Sequence, residues 1–304
     1  MNVLVTGGAG FIGAHLVDRI VGTTDDHVVV LDNLRRGRRQ RIRQHEPYLT
    51  FVEGDIRDRD VLRSAMQGCD VVYHLAAQSN VMGAIEDAEY SFTTNVGGTF
   101  NVLLTAAELG VRRVVFSSSR EVYGEPEYVP VDEDHPLRPK NPYGASKLAG
   151  EAYCRTFAHC YGIDVAVCRL ANVYGVGDRD RVIPLWLERA SGARDLEVFG
   201  GNQILDFVWI GRVVDALLHA GEHGLPETTN IGSGTGTSIL ELAARIISVA
   251  GSSARSVRLP ARGPEVGRFV ADTSRMRALG LEPDADPLAH LPEVARSYGV
   301  MVPA

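Results

Sequence analysis

Lysine is almost missing from this chain. Of 31 basic residues only Lys140 and Lys147 are lysines, so a lysine at a chemically meaningful position stands out. Cysteine is scarce as well. The four present (Cys69, Cys154, Cys160 and Cys168) lack the spacing of a metal site and read as buried apolar thiols suited to a reducing cytoplasm. No metal is expected. There is no excess of positive charge: 38 acidic side chains leave a net charge of −7, and nucleic acid is not an expected partner. An anionic ligand must then be gripped by local arginines against a mildly repulsive field. No apolar run approaches the ~20 residues of a membrane helix. Met1 leads straight into the first apolar run, so neither a leader nor a membrane anchor is expected. With 45% hydrophobic and 23% charged residues over 304 positions, the chain is long enough for a sizeable globular core.

What is present is organised around residues 2–13. Val3, Leu4 and Val5 read as a strand buried on both faces, and the chain then breaks into a glycine turn. Phe11, Ile12, Leu16, Val17 and Ile20 recur at helical spacing. Gly7, Gly10 and Gly13 lie three apart, and Gly8–Gly13 also satisfies G-x-G-x-x-G. Such glycines serve a tight turn, a close approach to pyrophosphate and close packing of helix on strand. The helix start adds free N–H groups and a positive dipole end. Asp32 ends the run Val28–Leu31, about twenty residues on, where a carboxylate accepts hydrogen bonds from the ribose hydroxyls. It also repels a 2′-phosphate, so the expected cofactor is NAD rather than NADP, with Arg35 and Arg36 read as solvated loop charges.

Strands are expected at 2–6, 27–31, 49–53, 70–75, 112–117 and 163–169, and helices near 11–22, 58–68, 87–109 and 141–161. This alternation predicts an α/β chain with a Rossmann-type doubly wound parallel sheet and a smaller α/β substrate domain. The first domain is expected over 1–172, rejoined by about 206–231, and the second over 173–304. Ligands in such sheets bind beyond the carboxyl ends of the strands, which points to Gly7, Asp32, Asp55, Leu75, Ala76, Ala77, Ser117, Ser118, Ser119 and Asn172.

Asn141 and Pro142 open a helix as N-cap and first residue, which puts Tyr143 and Lys147 one turn apart on one face. A free tyrosine has a pKa of about 10, and lowering it by ~3 units takes ~4 kcal/mol of selective phenolate stabilisation. A lysine ammonium and an oxidised nicotinamide, each ~5 Å away, supply ~3 kcal/mol apiece at an effective dielectric of ~20. Ser119, ending a strand, can hydrogen-bond the same substrate oxygen. A Ser/Tyr/Lys set beside NAD removes a hydroxyl proton while hydride leaves the carbon.

The chain resembles the extended short-chain dehydrogenase/reductase family, and within it the NAD-dependent nucleotide-sugar epimerases and dehydratases. The resemblance runs nearly end to end. It rests on Thr6–Gly13, Leu31–Asn33, Gly54–Ile56, His74–Ala77, Asn95, Ser117–Ser119, Val122–Gly124, Tyr143 with Lys147, Asn172–Gly175 and Ala271–Ser274. It implies Phe11, Ile12 and Asn33 at the cofactor, and Asp55 and Ile56 flanking adenine. Leu75, Ala76, Ala77, Asn95 and Ser117 would line the cofactor, with Ser118, Ser119, Glu121, Asn172, Arg181 and Arg262 at the nucleotide sugar. Relatives carry arginine where this chain has Leu205, so its phosphate clamp must differ, with Arg212 or Arg181 as candidates to compensate. Arg120 stands where the 4,6-dehydratases resemble an aspartate.

The resulting expectation is a UDP-sugar 4-epimerase that works through a 4-keto intermediate, in the cytoplasm, as a homodimer paired through helices 87–109 and 141–161. Arg179 matches a loop arginine that uronate 4-epimerases use for the C6 carboxylate, which favours UDP-glucuronate and UDP-galacturonate over UDP-glucose and UDP-galactose. The alternatives are a UDP-glucuronate decarboxylase, a 4,6-dehydratase, and a non-catalytic NAD-binding regulatory protein.

Overall fold

The computed structural model describes residues 1–300 and 302, apart from Glu227, Arg262, Pro264 and Glu265. The chain divides into two units, one of Met1–Gly124, Pro136–Leu170 and Val214–Thr229, the other of Glu125–His135, Ala171–Val213 and Asn230–Ala304.

Fully apolar strands need cover on both faces, and the first unit supplies it. Its strands are β1 (Asn2–Thr6), β2 (His27–Asp32), β3 (Leu49–Glu53), β4 (Val71–His74), β5 (Arg113–Ser119) and β6 (Asp164–Leu170). They lie in the order β6-β5-β4-β1-β2-β3, every pairing parallel. A seventh strand opens at Thr229, the last residue of this unit, and extends the order beyond β6. The chain runs outward from β1 to β3, then returns to β4 and runs the other way. The reversal between β1 and β4 is the crevice where such sheets take ligands. Leu4, Leu31, Val72, Val114 and Phe116 meet Leu62, Met66 and Leu103 from the covering helices in one core.

Those helices are α1 (Phe11–Thr23), α2 (Arg59–Met66), α3 (Val81–Glu86), α4 (Ala88–Phe92), α5 (Thr99–Leu109) and α6 (Pro142–Tyr161). The helix expected over 87–109 is interrupted. Asp87 caps α4 by accepting from Tyr90 N, and residues Thr93–Gly98 form a π-helical segment before α5. That wider turn carries Asn95, whose amide brackets the Gln78 backbone, accepting from its N–H at 2.7 Å and donating to its carbonyl at 3.1 Å. Gly98 closes the segment where a Cβ would lie 2.5 Å from Ile56. Hydrophobic spacing alone does not reveal one extra residue per turn, hence the difference.

The second unit holds a three-stranded sheet ordered Gly236–Ser238, Ile204–Trp209, Asn172–Tyr174, and a parallel pair of Leu196–Phe199 with Ser256–Leu259. Helices Val182–Ser191 and Ile239–Val249 bring Trp186, Leu187, Leu242 and Ile246 into its core with Leu291 and Val294. Asp206 is its buried centre. Its carboxylate accepts from Ser233 N and Oγ, Gly234 N and Ala271 N, and these bonds oppose the upward push of burial on its pKa. The segment Glu125–His135 belongs here although nothing in the sequence set it apart. Asn230 N donates to Glu133 and Asn230 Nδ2 to the Val131 carbonyl.

Candidate active site

The turn from β1 to α1 is shaped for close approach. Gly7 has φ +72°, and a Cβ there would sit 2.8 Å from the Ala76 nitrogen. A Cβ on Gly13 would overlap the Gly7 carbonyl. The N-cap of α1 is Gly10, with no side-chain cap and no acidic residue in the first turn, while Phe11 and Ile12 follow half-buried. Such an N-terminus suits an external phosphate. At the end of β2, Asp32 Oδ2 accepts from Ala9 N at 3.0 Å and Oδ1 from Leu34 N at 2.8 Å. Burial pushes its pKa up and these bonds pull it back. Arg35 is engaged elsewhere, stacked 3.7 Å from the Tyr90 ring centroid and paired with Asp87 at 3.3 Å.

Beyond β3, Asn33 Nδ2 donates to Asp55 at 2.9 Å, and the Arg57 guanidinium forks onto the same carboxylate at 2.9 and 2.8 Å. Burial opposes ionisation of Asp55, but these bonds outweigh it and hold its pKa at about 2. Ile56 is buried beneath Gly98. Leu75, Ala76 and Ala77 follow β4 half-buried, with Ala76 N donating to Thr6 Oγ1 at 3.3 Å. A cradle that a Cβ would fill, a helix N-terminus without a side-chain cap and a strand-end carboxylate fit a dinucleotide.

The end of β5 faces α6. Asn141 Oδ1 caps that helix by accepting from Gly144 N at 2.9 Å, and Pro142 begins it. Tyr143 is half-buried and Lys147 only 4% exposed. Lys147 Nζ donates to the Ser117 carbonyl at 2.7 Å and lies 6.0 Å from the Tyr143 ring centroid. Desolvation lowers the Lys147 pKa to about 8, with Cys154 and Glu151 opposing. Ser119 Oγ accepts from Glu121 N at 3.2 Å, which leaves its own proton to donate. Asn95 Nδ2 reaches Ser146 Oγ at 2.9 Å, and that hydroxyl donates to the Tyr143 carbonyl at 2.7 Å. Asn95 is thus joined to the catalytic helix.

Two expected substrate residues have other partners. Ser118 donates its hydroxyl to Glu151, because alternation along β5 sends it to the face opposite Ser117 and Ser119. Glu121 Oε1 pairs with Arg120 at 2.9 Å and Oε2 accepts from Asn141 at 2.7 Å. Several residues were given no role by the sequence, although His74 opens one of its motifs. His74, between Thr6 Oγ1 at 2.8 Å and Thr99 Oγ1 at 2.9 Å, is kept neutral by burial, its pKa down at about 3. Glu151 and Arg169 form a buried pair whose one sequence signal is that Glu151 follows Lys147 by a helical turn.

In the second unit, Asn172 Nδ2 donates to the Asp206 carbonyl at 2.9 Å. Arg181 donates to the Val173 carbonyl at 3.2 Å and lies 3.7 Å from Asp178. Arg212 is tied to Asp284 at 2.9 and 2.8 Å. Leu205 itself packs half-buried against the apolar core. Arg179 is exposed between Gly177, φ +81°, and Asp180, φ +59°. Its backbone N–H donates to Asp178 at 2.9 Å, while its guanidinium has no partner among the described residues. Arg262 lies outside the described residues.

The sequence model of the NAD dependent epimerase/dehydratase family matches residues 3–232. A UDP-glucose 4-epimerase of Mycolicibacterium smegmatis is 37% identical over 295 residues, covering 93% of this chain and 94% of that protein. A solved UDP-glucose 4-epimerase with UDP-glucose, from Thermotoga maritima, is similar with TM-score 0.93 at 32% identity, over 98% of this chain and 99% of that one. The UDP-glucuronic acid 4-epimerase of Bacillus cereus, in complex with UDP-glucuronic acid and NAD, is similar with TM-score 0.92 at 28% identity, over 98% and 99%.

Proposed function

The chain belongs to the NAD dependent epimerase/dehydratase family; it is an NAD-dependent nucleotide-sugar 4-epimerase, and we propose that UDP-glucuronate and UDP-galacturonate are the pair it interconverts best. Gly7, Gly10, Phe11 and Ile12 would hold the pyrophosphate of NAD, Asp32 and Asn33 the ribose, and Asp55 and Ile56 the adenine. Leu75, Ala76, Ala77, Asn95, Ser117, Tyr143 and Lys147 would complete its pocket. When bound, NAD takes up the C4 hydride and gives it back.

The chain's own part is proton transfer and positioning. Tyr143 takes the proton of the 4-hydroxyl, and Lys147, one turn on, stabilises the phenolate with its ammonium. Ser119 donates to the same sugar oxygen and holds it while the carbon is planar. Tyr143 returns the proton once the sugar presents its other face. Water loss or decarboxylation of the ketone calls for a further acid or base. Glu121 has both oxygens engaged by Arg120 and Asn141, which favours a reaction that stops at epimerisation.

The sugar preference is carried by one observation, the guanidinium of Arg179, which has no partner among the described residues, on a tightly turned loop. A guanidinium meets a carboxylate with two parallel hydrogen bonds. Asn172 and Arg181 would hold the rest of the nucleotide sugar. Incubating the purified protein with a panel of nucleotide sugars and resolving the products by chromatography and mass tests both parts. Unchanged mass with UDP-glucuronate as best substrate supports the reading, and equal efficiency with UDP-glucose overturns the preference.

We read the enzyme as a cytoplasmic homodimer. Phe92, Phe100, Tyr153 and Tyr161 are exposed on α4, α5 and α6, an apolar face that a second copy would cover. Cys69, Cys154, Cys160 and Cys168 are all free thiols, as a reducing compartment keeps them.

A further inference from the structure

Glu151 is fully buried, an uncommon place for a carboxylate. Arg169, on β6 and 3% exposed, forks onto it, Nε to Oε1 at 2.9 Å and Nη2 to Oε2 at 2.7 Å. The third nitrogen of Arg169 donates to Tyr123 Oη at 2.9 Å. Glu151 also accepts from the Ser118 hydroxyl, between the serine whose carbonyl receives Lys147 and the serine offered to substrate, and Arg155 on its own helix lies 3.8 Å from Oε2. Glu151 stands one helical turn after Lys147, so two successive turns of α6 grip two successive residues of β5.

A buried ion pair is a poor stabiliser. Replacing both partners with apolar residues of similar volume is often neutral or stabilising, because desolvation cancels the attraction. A pair with this geometry, inside the frame of the reacting groups, calls for another role. We propose that Glu151 and Arg169 are positioning residues of the epimerase reaction, holding the end of β5 through Ser118 so that Ser119 keeps its place relative to Tyr143 and Lys147.

This rests on the 4-epimerase reading. Misplacing a reacting group by about 1 Å can cost ~10²-fold in rate, so the pair's effect belongs in kcat rather than in binding. Electrostatics adds a second signature. Lys147 is faced by Tyr143, Glu151 and Cys154 on its own helix, by the Ser117 carbonyl on β5, and by the neutral His74 on β4. Glu151 is the anion in that set, and removing its charge makes the ammonium easier to deprotonate.

The test compares three variants with the parent for melting temperature, NAD content, KM, kcat and its pH profile. Glu151→Leu with Arg169→Met should melt at or above the parent and keep NAD and KM, with kcat down ~10²-fold. Glu151→Gln should shift the alkaline limb of kcat to lower pH. Ser118→Ala, which leaves the pair intact, should lower kcat with KM unchanged. A double variant that folds and turns over like the parent overturns the proposal. Should the double variant not fold, parent-like kcat in Ser118→Ala and a parent-like pH profile in Glu151→Gln overturn it. A parent that turns over no nucleotide sugar defeats the 4-epimerase reading instead. The positioning role is then read from the phenolate absorbance of Tyr143, taken as the difference from Tyr143→Phe. Its titration should move to higher pH in the double variant, and an unmoved titration overturns the proposal.

Discussion

Asn141 grips Glu121 with one end of its amide and caps the helix of Tyr143 with the other, Nδ2 donating to Oε2 at 2.7 Å and Oδ1 accepting from Gly144 N at 2.9 Å. The carboxylate nearest the reacting serine is thereby built into the scaffold of the catalytic helix. With Arg120 on its other oxygen, both carboxylate oxygens are held by scaffold groups. Products should therefore have the mass of their substrates for every nucleotide sugar accepted. Loss of water or of CO2, detected by mass spectrometry, would refute this role. Glu121→Gln should lower the melting temperature, since Arg120 loses a buried carboxylate, without changing the product.

Tyr143→Phe removes only the phenol oxygen. NAD binding should survive, and turnover should fall by ~10²–10⁴-fold, the usual worth of a positioned acid–base group. Cofactor content of the purified variant and product formation over long incubation measure the two effects separately. Near-parent turnover would remove Tyr143 as the base.

Lys147 predicts opposite pH trends for activity and stability. Its pKa is lowered to about 8 from the usual 10.5, by desolvation before anything else. Activity needs the ammonium, so kcat should decline on an alkaline limb near pH 8, where Lys147 loses its proton. Between about 8 and 10.5 the unfolded chain binds the proton that the folded chain has given up. The contribution of this group to stability therefore rises with pH across that window. Urea midpoints of the parent measured against Lys147→Met should diverge upward with pH as kcat falls. A parallel pair of midpoint curves would contradict the buried cation.

The glycine turn, Asp32 and the Tyr143–Lys147 spacing were legible because each needs only local chemistry: a backbone approach, a strand end, one helical turn. The parallel strand pattern followed from apolar runs that have no polar face. The π-helical turn at Thr93–Gly98 was not legible, since the bond that Asn95 makes from it goes to the Gln78 backbone, seventeen residues away. The partners of Ser118 and Glu121 were hidden for the same reason. A sequence places a hydroxyl or carboxylate at a strand end, but whether it faces substrate or scaffold depends on Glu151 and Asn141, which come from a later helix. The partner of Arg212, Asp284, is likewise seventy-two residues away in sequence.

The apolar face of α4, α5 and α6 predicts the assembly. Phe100 and Tyr153 meet edge to face at 5.4 Å yet remain partly exposed. The parent should scatter light with twice the mass of the 32.9 kDa chain at micromolar concentration. Phe100→Arg with Tyr153→Arg should halve that mass. A parent that stays monomeric would show that this face has another use.

Arg179 makes the sharpest prediction about substrate. It sits in a loop whose two ends take positive φ, at Gly177 and Asp180, and whose centre is pinned by Asp178 through the Arg179 N–H and Arg181. The backbone is fixed, while the guanidinium has no partner among the described residues. Two roles suit it: the C6 carboxylate of a uronate, or the phosphate for which the family resemblance implies an arginine at position 205. They separate by ligand. A charge-assisted contact to the carboxylate, worth ~1.5–3 kcal/mol, corresponds to a ~10–150-fold preference for UDP-glucuronate over UDP-glucose. Arg179→Ala should erase that preference and leave UDP-glucose and free UDP nearly untouched. A phosphate role would instead weaken all three ligands alike. Calorimetry with UDP, UDP-glucose and UDP-glucuronate on the parent and the variant distinguishes them, and uniform weakening would move Arg179 from the sugar to the phosphate.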